Sequence, residues 1–357
     1  MKQKVQNRFF SSSIYEQLVP QNSIWRRVRE LIDWEKWSRK LEVLYKNSGE
    51  GRTNWPPAMM LKILLLQRVY NSSDRKTQEL CTQNIMVKYF LGLEIQQEAP
   101  DYSTVAKFRN QILQEFGASF YEEFFQEILV ELKEAGLKFS GTYAVDSTIT
   151  NADVNTWKDK QRQEKEGKEQ RDKDASWTAK SRPGKKDLGN KTTYYYGYKM
   201  HTLVDIEKQI ITAISSDTAS PHDINYAQGL INEGEKIGKI ERFTADAAYD
   251  DAFFIDSLES KGITTAIRVR KNRTIQIDMG NESYWRWYMA DEERKNLRRK
   301  RGQVERPFAD LKTNHGFGRC RYLGLEKFKM QSYMSTAAYN LKIGLKLLFN
   351  ARLNVYF

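Results

Sequence analysis

Three acidic residues stand out by what surrounds them. Asp146 closes the apolar run Thr142-Tyr-Ala-Val-Asp146, and Asp246 closes Arg242-Phe-Thr-Ala-Asp246. Glu305 lies in a basic stretch, Arg298-Arg-Lys-Arg-Gly-Gln-Val-Glu305-Arg-Pro-Phe-Ala-Asp-Leu-Lys312. Moving a phosphodiester requires activating a water or a 3′ hydroxyl and neutralising charge at a pentavalent phosphorus. Two Mg²⁺ ions about 4 Å apart do both, and they take hard oxygen ligands from a few carboxylates. Asp146, Asp246 and Glu305 are the candidate ligands, with Mn²⁺ the expected substitute for Mg²⁺. On a helix turning ~100° per residue, Arg301 and Lys312 both fall within about 40° of Glu305. Cations so placed can hold phosphates, Arg by a bidentate fork and Lys as a point charge. The alternative for Arg301 is an i, i+4 ion pair with Glu305, contributing about 0.3–0.5 kcal/mol on an exposed helix. Pro307 would kink a helix that ran through it, so the helix can instead start near Glu305.

The elements that must carry these residues divide the chain. Residues 1–135 read as helical. Ile24, Val28, Leu31, Ile32, Trp34, Trp37, Leu41 and Leu44 recur at helical spacing. Pro56-Pro57 opens the next helix, Ser72 or Ser73 can cap a short one toward Leu80, and Ser103 another through Phe116. Short helices with a tight connection allow a helix-turn-helix-like DNA reader, with Arg75, Lys76, Lys107 and Arg109 as candidate contacts; a bundle without DNA contact is the alternative.

From Phe139 the period changes. Residues 142–149, 198–204, 210–215, 243–245 and 263–269 are short β-prone runs, with helical stretches at 223–237 and 250–261. Three strands, then helix and strand alternating, then a helix bearing the glutamate is the order of a ribonuclease H-like α/β fold, here over residues 136–357. Two insertions interrupt it. Residues 155–191 are charged and nearly free of aliphatics, which reads as a mobile loop that orders on DNA or as a solvated helical hairpin. Residues 270–293 carry Trp285 and Trp287 among arginines. Those rings either stack on an extruded base or pack a small β insertion.

Composition sets the bounds. The formal charge of +12 favours polyanions. Cys81 and Cys320 fit no metal or redox spacing, which suits a reducing cytoplasmic setting, and Leu61-Lys-Ile-Leu-Leu-Leu66 is too short and charged to cross a bilayer. The three histidines (201, 222, 315) make no zinc pair at helical spacing, and no Gly-x4-Gly-Lys loop cradles a nucleotide. Lys199 and His201 fall in the second strand, where either a substrate phosphate contact or a satisfied strand histidine fits. His222-Asp223 reads as a helix entry with Asp223 near the cap.

A resemblance covers nearly the whole chain. Its blocks are Trp55-Pro-Pro-Ala-Met-Met-Leu-Lys62, Ser72-Ser-Asp-Arg75, Tyr89-Phe-Leu-Gly92, Pro100-Asp-Tyr-Ser-Thr104, Phe108-Arg109, Val145-Asp-Ser-Thr148, Gly197-Tyr-Lys-Met-His201, His222-Asp223, Ala245-Asp-Ala-Ala-Tyr249, the Glu305 segment, Arg321-Tyr-Leu-Gly-Leu325 and Asn340-Leu-Lys342. In that order they resemble a DDE transposase of a bacterial insertion sequence, in the insertion sequence 5 family. The resemblance implies an enzyme that binds terminal inverted repeats through an N-terminal all-helical DNA-binding domain. It further implies that the enzyme cuts the ends with two Mg²⁺ ions at Asp146, Asp246 and Glu305, and transfers the 3′ ends to target DNA as a homodimer or higher oligomer. The family usually has Tyr where this chain has Arg298; Arg298 and Arg299 become candidate DNA contacts. Two rivals remain at this point: a catalytically silent DNA-binding regulator, and a nuclease that cuts without strand transfer. The last segment, 328–349, is expected to be a helix packing on the catalytic core, with a dimer interface as the alternative.

Overall fold

Pro57 occupies the first turn of a helix, where its missing amide hydrogen costs nothing, and every residue from Met59 to Arg68 behind it is buried. That helix is the centre of a helical unit. The computed structural model describes residues 11–45, 54–182, 191–270 and 282–349. It divides into two units: Met1–Leu137 with Asn314–Gly316 and Tyr333–Phe357, and Lys138–Thr313 with Phe317–Ser332.

The helical unit contains α1 (residues 11–18), α2 (Ile24–Leu31), α3 (Trp34–Leu41), α4 (Pro57–Val69), α5 (Asp74–Gln83), α6 (Ile85–Leu91), α7 (Tyr102–Phe116) and α8 (Ser119–Glu134). Ser73 caps α5 by accepting from the Lys76 amide, and Asn84 caps α6 through Met86 and Val87. The cap of α7 is Asp101, accepting from Ser103 N, so Ser103 lies inside the first turn and is not the cap. Trp37 is fully buried, with Phe120 and Phe124 meeting its ring edge-on at 5.2 and 5.1 Å.

Among the described residues, the second unit is built on a six-stranded sheet ordered β2-β3-β1-β5-β6, with β4 also paired to β3. Its strands are β1 (Thr142–Asn151), β2 (Ser176–Arg182), β3 (Lys191–Asp205), β4 (Ile210–Thr218), β5 (Arg242–Ala245) and β6 (Thr264–Ile267). Strands β1, β3 and β4 are antiparallel, whereas β5 and β6 run parallel to β1 and to each other. Parallel strands need crossovers, supplied by α10 (Ile224–Ile237) and α11 (Ala252–Ser260), which bury Leu230, Ile231, Ile255 and Leu258 against Tyr143, Leu203 and Phe243. This is the expected ribonuclease H-like arrangement.

Both insertions differ from expectation. The charged one forms α9 (Thr156–Glu166), capped by Asn155, and then β2. Its composition supplies no core, but it borrows one. Tyr198 Oη donates to Asp172 Oδ1 at 2.6 Å and Tyr196 Oη to Asp172 O at 2.6 Å, fastening the segment to β3. The described part of the Trp-bearing insertion from residue 282 is helical, with α12 (Glu282–Ala290) followed by α13 (Glu292–Lys300). Tyr288 anchors α12: it is buried, and its hydroxyl accepts from Ile267 N at 2.7 Å. Residues 183–190 and 271–281 lie outside the described residues.

A 3-10 turn (Arg301–Val304) leads into α14 (Glu305–Asn314), so Pro307 falls in a first turn and disrupts nothing. The last helix, α15 (Leu325–Phe349), corrects another expectation: from Tyr333 onward it belongs to the helical unit rather than the catalytic core. Gly344 permits the approach to α8, since a Cβ there would meet Leu132 Cδ2 at 2.6 Å.

Candidate active site

Two parallel strands in register bring the aspartates together. Thr142 is opposite Arg242 and Ala144 opposite Thr244, so continuing the pairing by two residues sets Asp146 level with Asp246. Asp146 lies within β1, its Oδ1 accepting from Ser147 N at 2.8 Å. Asp246 follows β5 and caps the 3-10 turn Ala247–Tyr249, accepting from Ala248 N at 2.8 Å. Arg301 links Asp146 to the third carboxylate: its Nη1 is 3.3 Å from Asp146 Oδ2 and its Nη2 3.6 Å from Glu305 Oε1. The i, i+4 pair with Glu305, the alternative for Arg301, is therefore present, and the same guanidinium reaches Asp146.

Burial pushes the Asp146 carboxyl up to about 6; Asp246 adds to the rise, while the Ser147 amide, Arg301 and Lys180 oppose it. Asp146 is 19 % exposed and Glu305 70 % exposed. Burial, with the neighbouring Lys180 charge, lowers the pKa of Lys312. Among the described residues, no three His, Cys, Asp or Glu side chains are gathered closely enough to hold an ion unaided. The donors nonetheless suit a hard divalent cation: all are carboxylate oxygens, and a guanidinium already supplies positive charge between Asp146 and Glu305.

A part-buried network lies beside Asp146, and no expectation from the sequence covers it. Ser147 Oγ donates to Asp223 Oδ2 at 2.7 Å, and Lys199 Nζ donates to Asp223 Oδ1 at 2.7 Å and to Pro221 O at 3.0 Å. Burial alone would raise the Asp223 pKa, but the hydrogen bonds from Lys199 and Ser147 overcome it and hold the pKa below its ordinary value. His201, opposite Ser147 in the sheet, is buried, stacked on Tyr226 at 4.1 Å, and shifted down to about 4 by burial. Asp223 does precede α10, yet its side chain makes no cap bond. Both halves of this network fall in blocks of the resemblance, Gly197-Tyr-Lys-Met-His201 and His222-Asp223, but nothing in the sequence pairs one with the other.

Several predicted contacts are re-placed. Lys199, with a side chain 10 % exposed, spends its ammonium on Asp223 and Pro221 rather than on a phosphate. Arg109 is buried and forms a bidentate pair with Asp74 at 3.0 and 3.2 Å, tying α7 to α5, so it is not a surface contact. Arg298 donates to Met289 O at 2.9 Å at the end of α12, which orders that corner. Arg75, Lys76, Lys107 and Arg299 are exposed. Trp287 is 52 % exposed with the Arg294 guanidinium 4.8 Å from its ring centroid; the side chain of Trp285 lies outside the described residues.

Residues 13–111 match the family described as Transposase domain (DUF772), and residues 138–341 match Transposase DDE domain. Among solved structures, the chain is similar to a piggyBac transposase synaptic complex with hairpin DNA. The TM-score is 0.42 and the identity 9 %, over 91 % of this chain and 73 % of that one. No helix among the described residues is long and apolar enough to cross a membrane. With more than half its length matching the Transposase DDE domain, the chain belongs to the DDE transposases, metal-dependent enzymes that act on DNA.

Proposed function

We propose that this chain mobilises an insertion sequence of the insertion sequence 5 family, working in the cytoplasm as a homodimer or higher oligomer on DNA. The observation that carries the reading is the β1–β5 register that sets Asp146 level with Asp246, joined to Glu305 through Arg301. Asp146, Asp246 and Glu305 would hold two Mg²⁺ ions, or Mn²⁺ in their place, which supply activation of the attacking water or 3′ hydroxyl and charge neutralisation at phosphorus. Arg301, relieved of its two carboxylates, is then available to a phosphate oxygen by the same fork. Lys312, seven residues past Glu305 on α14, takes the other side of the strand as a point charge. The helical unit, with Arg75, Lys76 and Lys107 exposed, reads the terminal inverted repeats, and the catalytic unit cuts them and joins the 3′ ends to target DNA.

Asp246→Ala and Glu305→Ala test this on full-length protein with terminal-repeat duplexes. Cleavage in Mg²⁺ should fall by at least ~10³, the equivalent of about 4 kcal/mol of barrier, with binding within about two-fold of wild type. A variant that still cuts would overturn the assignment. Strand transfer from pre-cleaved ends separates a transposase from a nuclease that only cuts.

Trp287 is the candidate base contact. Its exposure means Trp287→Ala should cost about 1 kcal/mol or less, against about 3–5 kcal/mol for a buried Trp. The same variant should lose second-strand cleavage or strand transfer more than first-strand nicking. Melting curves and step-resolved cleavage check the pair, and equal decline in all steps would remove the base-contact role.

A further inference from the structure

The ribbon formed by β2 and the first half of β3 has no core of its own. Pairing of β1 with β3 stops at Asn151 opposite Gly197; from Tyr196 back to Lys191, the register of β3 is with β2 alone. Gly197 makes that departure possible, because a Cβ there would lie 2.2 Å from Thr150 O. Beyond it the ribbon is wet on both faces: Trp177, Ala179, Lys180 and Ser181 are exposed on one strand and Lys191 to Tyr194 on the other, with Tyr194 68 % exposed. A two-stranded ribbon is marginal alone and gains by lying on something else.

Charge says what that is. Over Ser176–Arg182 and residues 191–195 the charged residues are Lys180, Arg182 and Lys191, with no acid. The ribbon continues the strand that flanks the catalytic carboxylate, since β3 carries Thr202 opposite Asp146 and leaves β1 at Gly197, five residues before it. The DNA major groove is wide enough for a two-stranded β-ribbon, and its walls are phosphates. The geometry points to the β2–β3 ribbon as a DNA-holding arm that grips the duplex flanking the scissile phosphate through Lys180 and Lys191. This rests on the transposase reading above, adding a surface neither family match assigns.

The test compares full-length wild type, Lys180→Ala/Lys191→Ala, and a charge-matched control on exposed α9 lysines, Lys158→Ala/Lys165→Ala. The probe is a duplex from the end of the element. Two lost phosphate contacts should lower the slope of log affinity against log salt by about 2 and weaken binding at ~150 mM salt by about ten- to thirty-fold, with the control near wild type. The arm is overturned if the ribbon variant keeps the wild-type slope, if the control loses as much, or if the variant alters self-association and not DNA affinity. Wild type that binds and cuts while the ribbon variant matches it defeats the arm alone. Wild type that neither binds nor cuts defeats the functional reading and the arm with it.

Discussion

Asp146→Asn is expected to abolish cleavage and, without divalent metal, to make the protein harder to unfold above neutral pH. Burial, joined by the Asp246 charge, raises the folded Asp146 pKa from 3.8 to about 6. A carboxyl raised on folding contributes stability below its unfolded pKa and loses it as pH climbs through the folded one. The wild type should therefore forfeit about 2–3 kcal/mol between pH 4 and pH 7, at about 1.4 kcal/mol per unit, while the Asn variant has no proton to lose there. The Arg301 attraction is already contained in that pKa, so an advantage of about 2–3 kcal/mol is expected at pH 8, shrinking toward none at pH 4. Calorimetric melting in chelator at both pH values checks it. An Asn variant less stable than wild type at pH 8 would show that Arg301 outweighs the desolvation of Asp146. In Mg²⁺ the order should reverse in function: wild type gains from the cation that its carboxylate binds, and the variant does not.

What the sequence disclosed divides by distance along the chain. The strands bearing Asp146 and Asp246 were legible because β-prone runs and helical periodicity are local properties. So was the start of the glutamate helix, since Pro307 permits few alternatives. The pairing partners of cations were not legible. Lys199 reads as a possible phosphate contact because nothing near it in sequence announces Asp223, 24 residues on, and Arg109 reads as a candidate DNA contact because Asp74 lies 35 residues back. A cation without a visible partner reads as a nucleic-acid contact in any basic chain. The charged insertion misled for a related reason: its anchors, Tyr196 and Tyr198, lie in the following strand. The segment's own composition describes only what it lacks. The aromatics of 270–293 suggested strands, but α12 is helical and Tyr288 alone among its described rings is fully buried.

Asp223→Ala should be among the most damaging substitutions outside the three carboxylates. It strips the Lys199 ammonium of its carboxylate, leaving Pro221 O as the acceptor, and frees Ser147 Oγ next to Asp146. Breaking a fully buried pair from one side costs about 3–5 kcal/mol, because the surviving charge is left desolvated; with Asp223 20 % exposed, about 2–3 kcal/mol is expected here. Removing both charges with Lys199→Met/Asp223→Leu should recover most of that stability, giving a coupling of about 2 kcal/mol or more in a double-mutant cycle. Catalysis should not recover with it. Ser147 would still lack its acceptor, and the strand residue whose amide holds Asp146 Oδ1 would be less firmly fixed. The double variant is therefore expected to melt near wild type, bind terminal-repeat DNA normally, and cut more slowly by about ten- to a hundred-fold, with a higher Mg²⁺ requirement. Full recovery of cutting together with stability would reduce Asp223 to a structural counter-ion. Loss of cutting at restored stability would show that the network positions the catalytic carboxylate.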